Sequence, residues 1–334
     1  MSLDEVPAAE RELAREAIRA VFDRHPFTLE RVLGGASGAL AFRVTSRERS
    51  QLLRIERRGI TLRNPHQYRC MAIAAEAGIA PPIRFLDDSS GVVVMDFIES
   101  RPLSQFPGGP AELVVALSEL VRRLQSTPAF PDLYPYPVLI ERMLAAICAS
   151  GRFSAGLLDP HREAFARISS AYPFDPAACV SSHNDPNAQN VLFDGTRLWL
   201  VDWETAYRND PLTDVAILVE NFAPTPTLER TLLTTWHGGS PDEPLEARLH
   251  LMRLLARLYY AGLVLASSSH GIPETDDSLD CLAPDALTAA VSRGELALGT
   301  PAFMHALGKM FLAGFLEGAR APRSAAALEV LKRA

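Results

Sequence analysis

Apolar and polar positions alternate with the period of a β-strand over much of the first hundred residues. Five short strands are predicted, over residues 27–33, 40–45, 51–55, 83–86 and 92–97. Between the third and fourth strands, residues 65–77 have helical spacing, and Gly78 followed by two prolines ends that helix. Residues 8–24 have helical spacing as well. The pattern predicts a small, mostly antiparallel sheet with one inserted helix.

The pattern becomes mainly helical after residue 98. Helices are predicted over residues 110–126, 137–150 and 158–171, and a short β-rich stretch follows at 179–203. The remainder is helical with breaks rich in proline and glycine. A sheet followed by helices is an α+β arrangement. We therefore predict two lobes, residues 1–98 and 99–334, with a ligand cleft between them.

Composition narrows the class of protein. The chain has 334 residues, of which 48% are hydrophobic and 22% charged, as in ordinary globular proteins. Its net charge of -7 argues against a nucleic-acid partner, because proteins that bind the phosphate backbone are usually basic. The same charge favours a neutral or cationic small-molecule substrate. The oligomeric state cannot be read from the sequence.

Cysteine usage and apolar run lengths bear on location. The four cysteines are far apart and form no C-x-x-C pair, so neither a zinc site nor a disulfide framework is predicted. The first residues have mixed charges with no apolar core of a signal peptide, and the apolar runs fall short of a membrane span. We expect a cytoplasmic protein with reduced thiols and no membrane partner.

The segment with candidate chemistry is SSHNDPNAQNVLFDG, residues 181–195, followed by LWLVDWE. It contains Asp185, then Asn190, then an apolar strand that ends at Asp202. Phosphoryl transfer requires a carboxylate that orients the attacking hydroxyl and accepts its proton, and oxygen ligands that hold Mg²⁺ against the phosphates. Asp185 suits the first role, and Asn190 and Asp202 suit the second. The spacing therefore predicts a catalytic loop with a magnesium site.

A predicted hairpin explains why these side chains should converge. Asp185 and Asn190 lie on one tight loop, and a turn at 194–196 pairs the strand before Asp202 with the strand after Asn190. Simpler readings stay open for each residue. Asp185 and Asn190 are also common turn residues, Asp202 is also a possible strand-end cap, and His183 is either a buried histidine or a brace for the loop.

The motif resembles that of the aminoglycoside phosphotransferase and choline kinase superfamily, relatives of the protein kinases. The likeness spans roughly residues 25–225, and HNDPNAQNVLFDG…LWLVDWETAYRNDPLTDVA is closest in style to the choline, ethanolamine and thiamine kinase branch. The resemblance implies a bilobal protein-kinase-like fold, ATP and Mg²⁺, and the roles given above. It further implies Asn187 near the acceptor hydroxyl, Glu204 near the acceptor or a second metal, and Asp214 tying the following helix to the catalytic loop.

The resemblance extends more loosely to the predicted nucleotide-binding lobe. Gly35 and Ser37 fall where the family places its phosphate-covering turn, although an ordinary hairpin turn fits GGASG equally well. The backbone of Asp96 and Ile98 would meet the adenine edge. Arg54 stands where the family usually has a phosphate-binding lysine. The helix glutamate that normally pairs with this cation has no clear counterpart, since Gln67 occupies about its place.

The function implied is transfer of the γ-phosphoryl group of ATP to a hydroxyl of a small molecule. An amino alcohol such as choline or ethanolamine, an aminoglycoside, a thiamine-like compound and a sugar are all compatible acceptors. Two other classes stay open, a catalytically weak nucleotide-binding regulator and a nucleotidyl transferase on the same scaffold. The departure at Arg54 favours the regulator, whereas the intact Asp185, Asn190 and Asp202 favour the enzyme.

Overall fold

The computed structural model describes residues 3–23, 25–32, 39–47, 49–56, 64–267 and 275–333. Its N-terminal part contains a five-stranded sheet of β1 (Thr28–Arg31), β2 (Leu40–Ser46), β3 (Arg49–Ile55), β4 (Ile83–Asp87) and β5 (Val92–Asp96). The strand order is β1-β2-β3-β5-β4, and all neighbours are antiparallel. The predicted antiparallel sheet is therefore confirmed.

One face of this sheet is buried against helix α1 (Arg11–Phe22). Side chains on a strand alternate between the two faces, and Phe42, Val44, Leu53 and Ile55 are completely buried in the cluster that includes α1. Arg54 lies between Leu53 and Ile55, so its side chain points to the opposite face of the sheet.

Ten further helices are described after the third strand. They are α2 (Gln67–Glu76), α3 (Gly109–Gln125), α4 (Tyr136–Ala149), α5 (Asp159–Ala171), α6 (Leu212–Phe222), α7 (Pro226–His237), α8 (Glu243–Ser267), α9 (Pro284–Ser292), α10 (Pro301–Arg320) and α11 (Pro322–Arg333). Proline occupies the first or second position of α3, α4, α5, α9 and α10, where a helix needs no backbone N–H donor. The predicted helices are present, with ends shifted by a few residues at most.

Four short strands accompany the candidate site. They are β6 (Val180–Ser182), β7 (Val191–Phe193), β8 (Leu198–Leu200) and β9 (Tyr207–Asn209). β7 and β8 form the predicted antiparallel hairpin, with Val191 opposite Leu200, and β6 pairs with β9. The β-rich stretch predicted after the first helices is therefore a hairpin flanked by two strands that pair with each other.

The chain divides into two compact units that are discontinuous in sequence. The first contains Met1–Pro131, Val180–Arg208 and Thr225–Leu232, and the second contains Asp132–Cys179, Asn209–Pro224 and Leu233–Ala334. The sheet, α2, α3 and the hairpin β7–β8 all belong to the first unit. The predicted lobe boundary between residues 98 and 99 lies inside this unit and stays a prediction.

Helix α8 is the centre of the second unit, where α4, α6, α10 and α11 pack against it. Among the described helices, only α8 contains a stretch, Glu243–Ala266, that is long and apolar enough by composition to cross a membrane. However, 61% of its most apolar window is buried within the protein. Packing against four neighbouring helices therefore accounts for its apolar character.

Candidate active site

Asp185 lies on the loop between β6 and β7, and two side-chain amides hold its carboxylate. Nδ2 of Asn187 donates to Oδ1 at 2.8 Å, and Nδ2 of Asn190 donates to Oδ2 at 2.9 Å. Asn190 also donates to the backbone carbonyl of Asp185 at 2.9 Å. The tight loop predicted from the sequence thus brings these three residues together. Each carboxylate oxygen accepts one of the amides, so the orientation of the carboxylate is defined.

The hairpin connects this loop to Asp202. The backbone N–H of Val201, the residue before Asp202, donates to the carbonyl of Asn190 at 3.0 Å. Asp202 itself has φ 66° and ψ 70°, in the left-handed region that residues other than glycine seldom occupy. Asn184 in the loop has φ 62°. Each of the two chain segments that carry the candidate ligands thus contains one residue, Asn184 or Asp202, in a less favourable backbone conformation.

His183 links the loop to the end of the hairpin. Its side chain is completely buried, and its Nε2 lies 3.0 Å from the carbonyl oxygen of Val201, to which it donates. Its ring packs against Trp203 with 4.6 Å between the ring centroids. Burial lowers the pKa of His183 to about 4, so the imidazole is neutral near pH 7. A neutral, buried imidazole that bridges two backbone segments positions the loop without adding charge.

Asn184 is a loop residue whose role the sequence analysis missed. Its Nδ2 donates to the carbonyls of Thr205 at 2.9 Å and Tyr207 at 3.3 Å, and its Oδ1 accepts from the hydroxyl of Ser182. The hydroxyl of Thr205 in turn donates to the carbonyl of His183. The loop therefore holds the 3₁₀ turn Trp203–Thr205 that follows Asp202. The position of Asn184 inside HNDPN was the available sequence signal.

Arg54 pairs with carboxylates of this turn. Its guanidinium lies 3.2 Å from Oδ1 of Asp202 and 3.5 Å from Oε2 of Glu204, and only 14% of its side chain is exposed. Gln67, which stands at about the place of the family's helix glutamate, donates its amide to Glu56. The carboxylate partners of Arg54 therefore come from the turn after β8.

The charge around Arg54 is strongly negative. Burial and the neighbouring charge of Asp202 together raise the pKa of Glu204 to about 7, although Arg54 opposes the shift. Asp185 and Glu56 are also close enough to raise this pKa. Four carboxyl groups thus act on the same region as one described guanidinium. Such an excess of carboxylate favours the binding of a cation there.

The donor atoms suit magnesium, which prefers oxygen ligands. Both described hydrogen bonds from the Asn190 side chain use Nδ2, and no described residue donates to its Oδ1. Asp202 supplies a carboxylate that at present accepts from Arg54. Within the described ranges, no cluster of three or more His, Cys, Asp or Glu side chains has metal-binding geometry. A site built from Asn190 and Asp202 would differ from such clusters because one ligand is an amide and the phosphates supply others.

The predicted adenine contacts lie at the end of β5. The backbone N–H of Asp96 donates to the Pro82 carbonyl at 2.9 Å, and its carboxylate accepts two hydrogen bonds from Arg84. The N–H of Asp96 is therefore engaged within the protein. Ile98 is half-buried just beyond the strand. Gly35 and Ser37, predicted to cover the phosphates, lie outside the described residues.

Two other features of the molecule lie apart from this set. Asp214 is completely buried in α6, which belongs to the second unit, and its predicted tie to the catalytic loop stays a prediction. A groove of about 770 Å³ in the first unit lies between the ends of α2 and α3, with Glu76, Glu119 and Arg123 in its lining. None of the predicted site residues lines this groove.

Comparison with known proteins places this geometry in context. The chain is 28% identical to protein LicA of Haemophilus influenzae over 158 residues, which are 45% of this chain and 57% of LicA. It spans less than two thirds of the length of the curated relatives that it matches.

Solved structures resemble the chain over most of its length. A choline/ethanolamine kinase family protein from Mesorhizobium loti has a TM-score of 0.70 and 21% identity, covering 97% of this chain and 99% of that one. A spectinomycin phosphotransferase solved with ADP and spectinomycin has a TM-score of 0.56 and 13% identity, covering 89% and 98%. At these identities the likeness shows the fold. The predicted α+β, protein-kinase-like fold with a larger helical part is thus confirmed.

A match to a protein family is the most direct of the comparisons. The sequence pattern of the phosphotransferase enzyme family matches residues 28–251. This span includes the sheet, the loop with Asp185, the hairpin that ends at Asp202, and Asp214. Since the match covers more than half of the 334 residues, the chain belongs to the phosphotransferase enzyme family.

Proposed function

We propose that the chain transfers the γ-phosphoryl group of ATP to a hydroxyl group of a small molecule, in a reaction that depends on Mg²⁺. One connected set of contacts carries the proposal. Asp185 is hydrogen bonded to Asn190, Asn190 is bonded through its carbonyl to the residue before Asp202, and Asp202 is paired with Arg54. A base, oxygen ligands and a phosphate-binding cation are the parts that phosphoryl transfer needs.

Asp185 would orient the acceptor and take its proton. The hydroxyl oxygen forms a bond to the γ-phosphorus, the bond from that phosphorus to the bridging oxygen breaks, and ADP leaves with the electron pair. The hydroxyl proton passes to Asp185. The amides of Asn187 and Asn190 keep the carboxylate in one orientation, so little reorganisation is needed at the moment of transfer.

Asn190 and Asp202 would hold Mg²⁺ through Oδ1 of the amide and through the carboxylate. When bound, the ion neutralises charge on the phosphate oxygens. Arg54 would contact the α- and β-phosphates, since a guanidinium can hold phosphate oxygens in a bidentate manner. Its present partners Asp202 and Glu204 keep it close to that position before nucleotide arrives. The phosphates would thus replace part of its carboxylate pairing.

The nucleotide would lie along the end of β5, with the Asp96 carbonyl and the Ile98 N–H facing adenine. The Asp96 N–H already donates to the Pro82 carbonyl, which supports the Asp96 carbonyl, and not its N–H, as the group that meets adenine. The ADP bound to the structurally similar spectinomycin phosphotransferase is a second support for nucleotide use. Gly35 and Ser37 remain candidates for covering the phosphates.

For the acceptor we propose an amino alcohol such as choline or ethanolamine, with an aminoglycoside as the second candidate. The resemblance to a choline/ethanolamine kinase family protein favours the first, and the resemblance to a spectinomycin phosphotransferase favours the second. Both acceptors are cationic, which agrees with the net charge of -7. Asn187 and Glu204 would lie near the acceptor hydroxyl.

The test is transfer by the purified chain from ATP and Mg²⁺ to a panel of choline, ethanolamine, thiamine, aminoglycosides and sugars. Mass spectrometry of the products separates phosphorylation from attachment of AMP, the result expected of a nucleotidyl transferase. Asp185→Asn should abolish transfer and still bind ADP, whereas Asp88→Asn on an exposed turn should behave as wild type. Near-normal transfer by Asp185→Asn would rule out its assignment. Nucleotide binding without transfer to any acceptor would favour a regulator.

A further inference from the structure

The carbonyl of Ala206 accepts hydrogen bonds from two side chains at and just before the start of α2. Nδ2 of Asn64 lies 2.6 Å from this oxygen, and Sγ of Cys70 lies 3.3 Å from it. All three residues are buried. Ala206 directly follows the 3₁₀ turn that carries Glu204 and begins just after Asp202. The contact therefore joins α2 to the turn that holds the proposed magnesium and phosphate groups.

Asn64 uses both ends of its amide. While Nδ2 donates to Ala206, Oδ1 accepts from the backbone N–H of His66 at 2.9 Å, at the start of α2. Only 6% of Asn64 is exposed, so water does not readily replace either bond. One side chain thus contacts the chain at the start of α2 and also fastens this start to the turn.

The opposite end of α2 is fastened to the same hairpin. The backbone N–H of Leu200 donates to the carbonyl of Ile79 at 2.9 Å, and the guanidinium of Arg197 donates to the carbonyl of Gly78. Asp202 lies between Leu200 and Ala206. The segment that carries Asp202 is therefore attached on both sides of that residue: Leu200 before it bonds to the turn after α2, and Ala206 after it bonds to the start of α2.

Charge pairing does not provide this attachment. In the described structure Gln67 of α2 bonds to Glu56, and Arg54 bonds to Asp202 and Glu204. The connection between α2 and the site thus passes through the Ala206 carbonyl. Loss of that connection would remove one of the contacts that hold the turn, in addition to those with the catalytic loop, while leaving every proposed ligand in place.

We propose that Asn64 is a positioning residue, which fixes Asp202 and Glu204 against Arg54 by holding the Ala206 carbonyl. The role rests on the proposed Mg²⁺-dependent phosphotransfer. Groups that orient metal ligands typically affect metal affinity by about 10- to 100-fold when removed. Loss of the Asn64 donor should therefore weaken Mg²⁺ binding more than it lowers the maximal rate.

Two substitutions isolate the donor. Asn64→Asp keeps the shape and the acceptor for His66 but places an oxygen against the Ala206 carbonyl. Asn64→Ser keeps a short acceptor near His66 without charge and cannot reach Ala206. If the Asp and Ser variants show the same change, the added charge of Asn64→Asp is excluded as its cause. Ser118→Ala is the matched control, since it deletes a buried hydroxyl that bonds the carbonyls of Val114 and Leu232 in the same unit.

The measurement is a titration of Mg²⁺ at fixed ADP, followed by intrinsic tryptophan fluorescence, to which Trp203 in the turn contributes together with Trp199 and Trp236. Melting curves and steady-state kinetics accompany it. In both Asn64 variants we expect the apparent Mg²⁺ dissociation constant to rise about tenfold. The value for kcat at saturating Mg²⁺ should change less than kcat/KM for ATP. Ser118→Ala should keep the wild-type Mg²⁺ constant despite a lower melting temperature.

The outcomes separate this role from the proposed function. If wild type shows no Mg²⁺-dependent response to ADP, the proposed function fails and this role with it. If wild type responds and the Asn64 variants match it, only the positioning role is wrong. An equal rise in Ser118→Ala would also overturn it, because general destabilisation would then suffice. Should neither Asn64 variant fold, Asn64→Gln takes their place, because its longer side chain cannot hold the amide against both His66 and Ala206, and an unchanged Mg²⁺ constant in that variant counts against the role.

Discussion

Nη2 of Arg54 lies 3.2 Å from Oδ1 of Asp202, although 148 positions separate the two residues in the chain. The same guanidinium is 3.5 Å from Glu204. One nitrogen, Nη2, makes both contacts in the described structure, so the other guanidinium N–H groups are available to a second partner, which the single ammonium of lysine could not offer in the same planar geometry. The pair also connects the central strand of the sheet with the turn that follows the hairpin.

Arg54→Lys should raise KM for ATP about tenfold while kcat falls less, because an ammonium cannot hold phosphate oxygens in the bidentate manner of a guanidinium. Arg54→Met should lose most activity. Steady-state kinetics at varied ATP measure both effects. Arg49→Lys, an exposed change on the same strand, is the control and should leave KM unchanged. Equal KM values for wild type and Arg54→Lys would mean that this cation does not contact the nucleotide.

Asn187→Ala should lower kcat about tenfold with little change in KM for ATP. The substitution removes the 2.8 Å hydrogen bond to Oδ1 of Asp185, and a hydrogen bond to a charged group is worth about 1.5 kcal/mol or more. The measurement is the rate at saturating ATP and acceptor. Gln189→Ala on the exposed part of the same loop is the control. A lower kcat in the control as well would point to general disorder of the loop.

Acid should destabilise the protein through two histidines, the fully buried His183 and the partly buried His250. Burial lowers the pKa of both His183 and His250 to about 4, below the ordinary value of 6.5. Between those values the unfolded chain binds protons that the folded chain excludes, so stability is complete above about pH 6.5 and falls toward pH 4. For the fully buried His183 the loss reaches at most ~3 kcal/mol.

Chemical denaturation of wild type and His183→Gln at several pH values tests this linkage. The variant should be less stable at pH 7, since it loses the bond to Val201 and the packing against Trp203. Its free energy of unfolding should then fall less steeply than that of wild type as the pH drops from 6.5 to 4. Parallel pH dependences would contradict a neutral, buried His183.

The packing of α10 on α8 predicts opposite effects for neighbouring glycines. A Cβ at Gly308 would overlap Leu265, and one at Gly318 would overlap Leu254. Gly308→Ala and Gly318→Ala should each lower the free energy of unfolding by about 1–3 kcal/mol. Gly314→Ala is the matched control on the same helix, because its Cβ would stand 3.8 Å from Arg257.

Gly314→Ala should be neutral or stabilising by up to about 1 kcal/mol, since alanine favours the helix more than glycine does. Urea denaturation of the three variants gives the comparison directly. Destabilisation of the same size at Gly308, Gly314 and Gly318 would show that the helix as a whole resists substitution, and that contact with α8 does not decide the effect.

Much of the candidate site was accessible from the sequence because its parts are local. Asp185, Asn187 and Asn190 share one loop. The hairpin that follows pairs Val191 with Leu200 and so returns the chain to this loop just before Asp202. Alternating and helical periods likewise predicted the sheet, α2 and the first helices of the second half. Those patterns depend on interactions between near neighbours, and the sequence displays them directly.

The tertiary structure decided which distant groups meet. The periodic pattern of apolar and polar residues shows which positions face the interior. It does not show which distant residue will pack against each of them. For this reason the carboxylates that hold Arg54 and the bond from Asn64 to Ala206 emerged only in the folded chain. The local motif thus determined the chemistry that this protein can attempt, while long-range packing decided how its charges and its helix α2 are held around that motif.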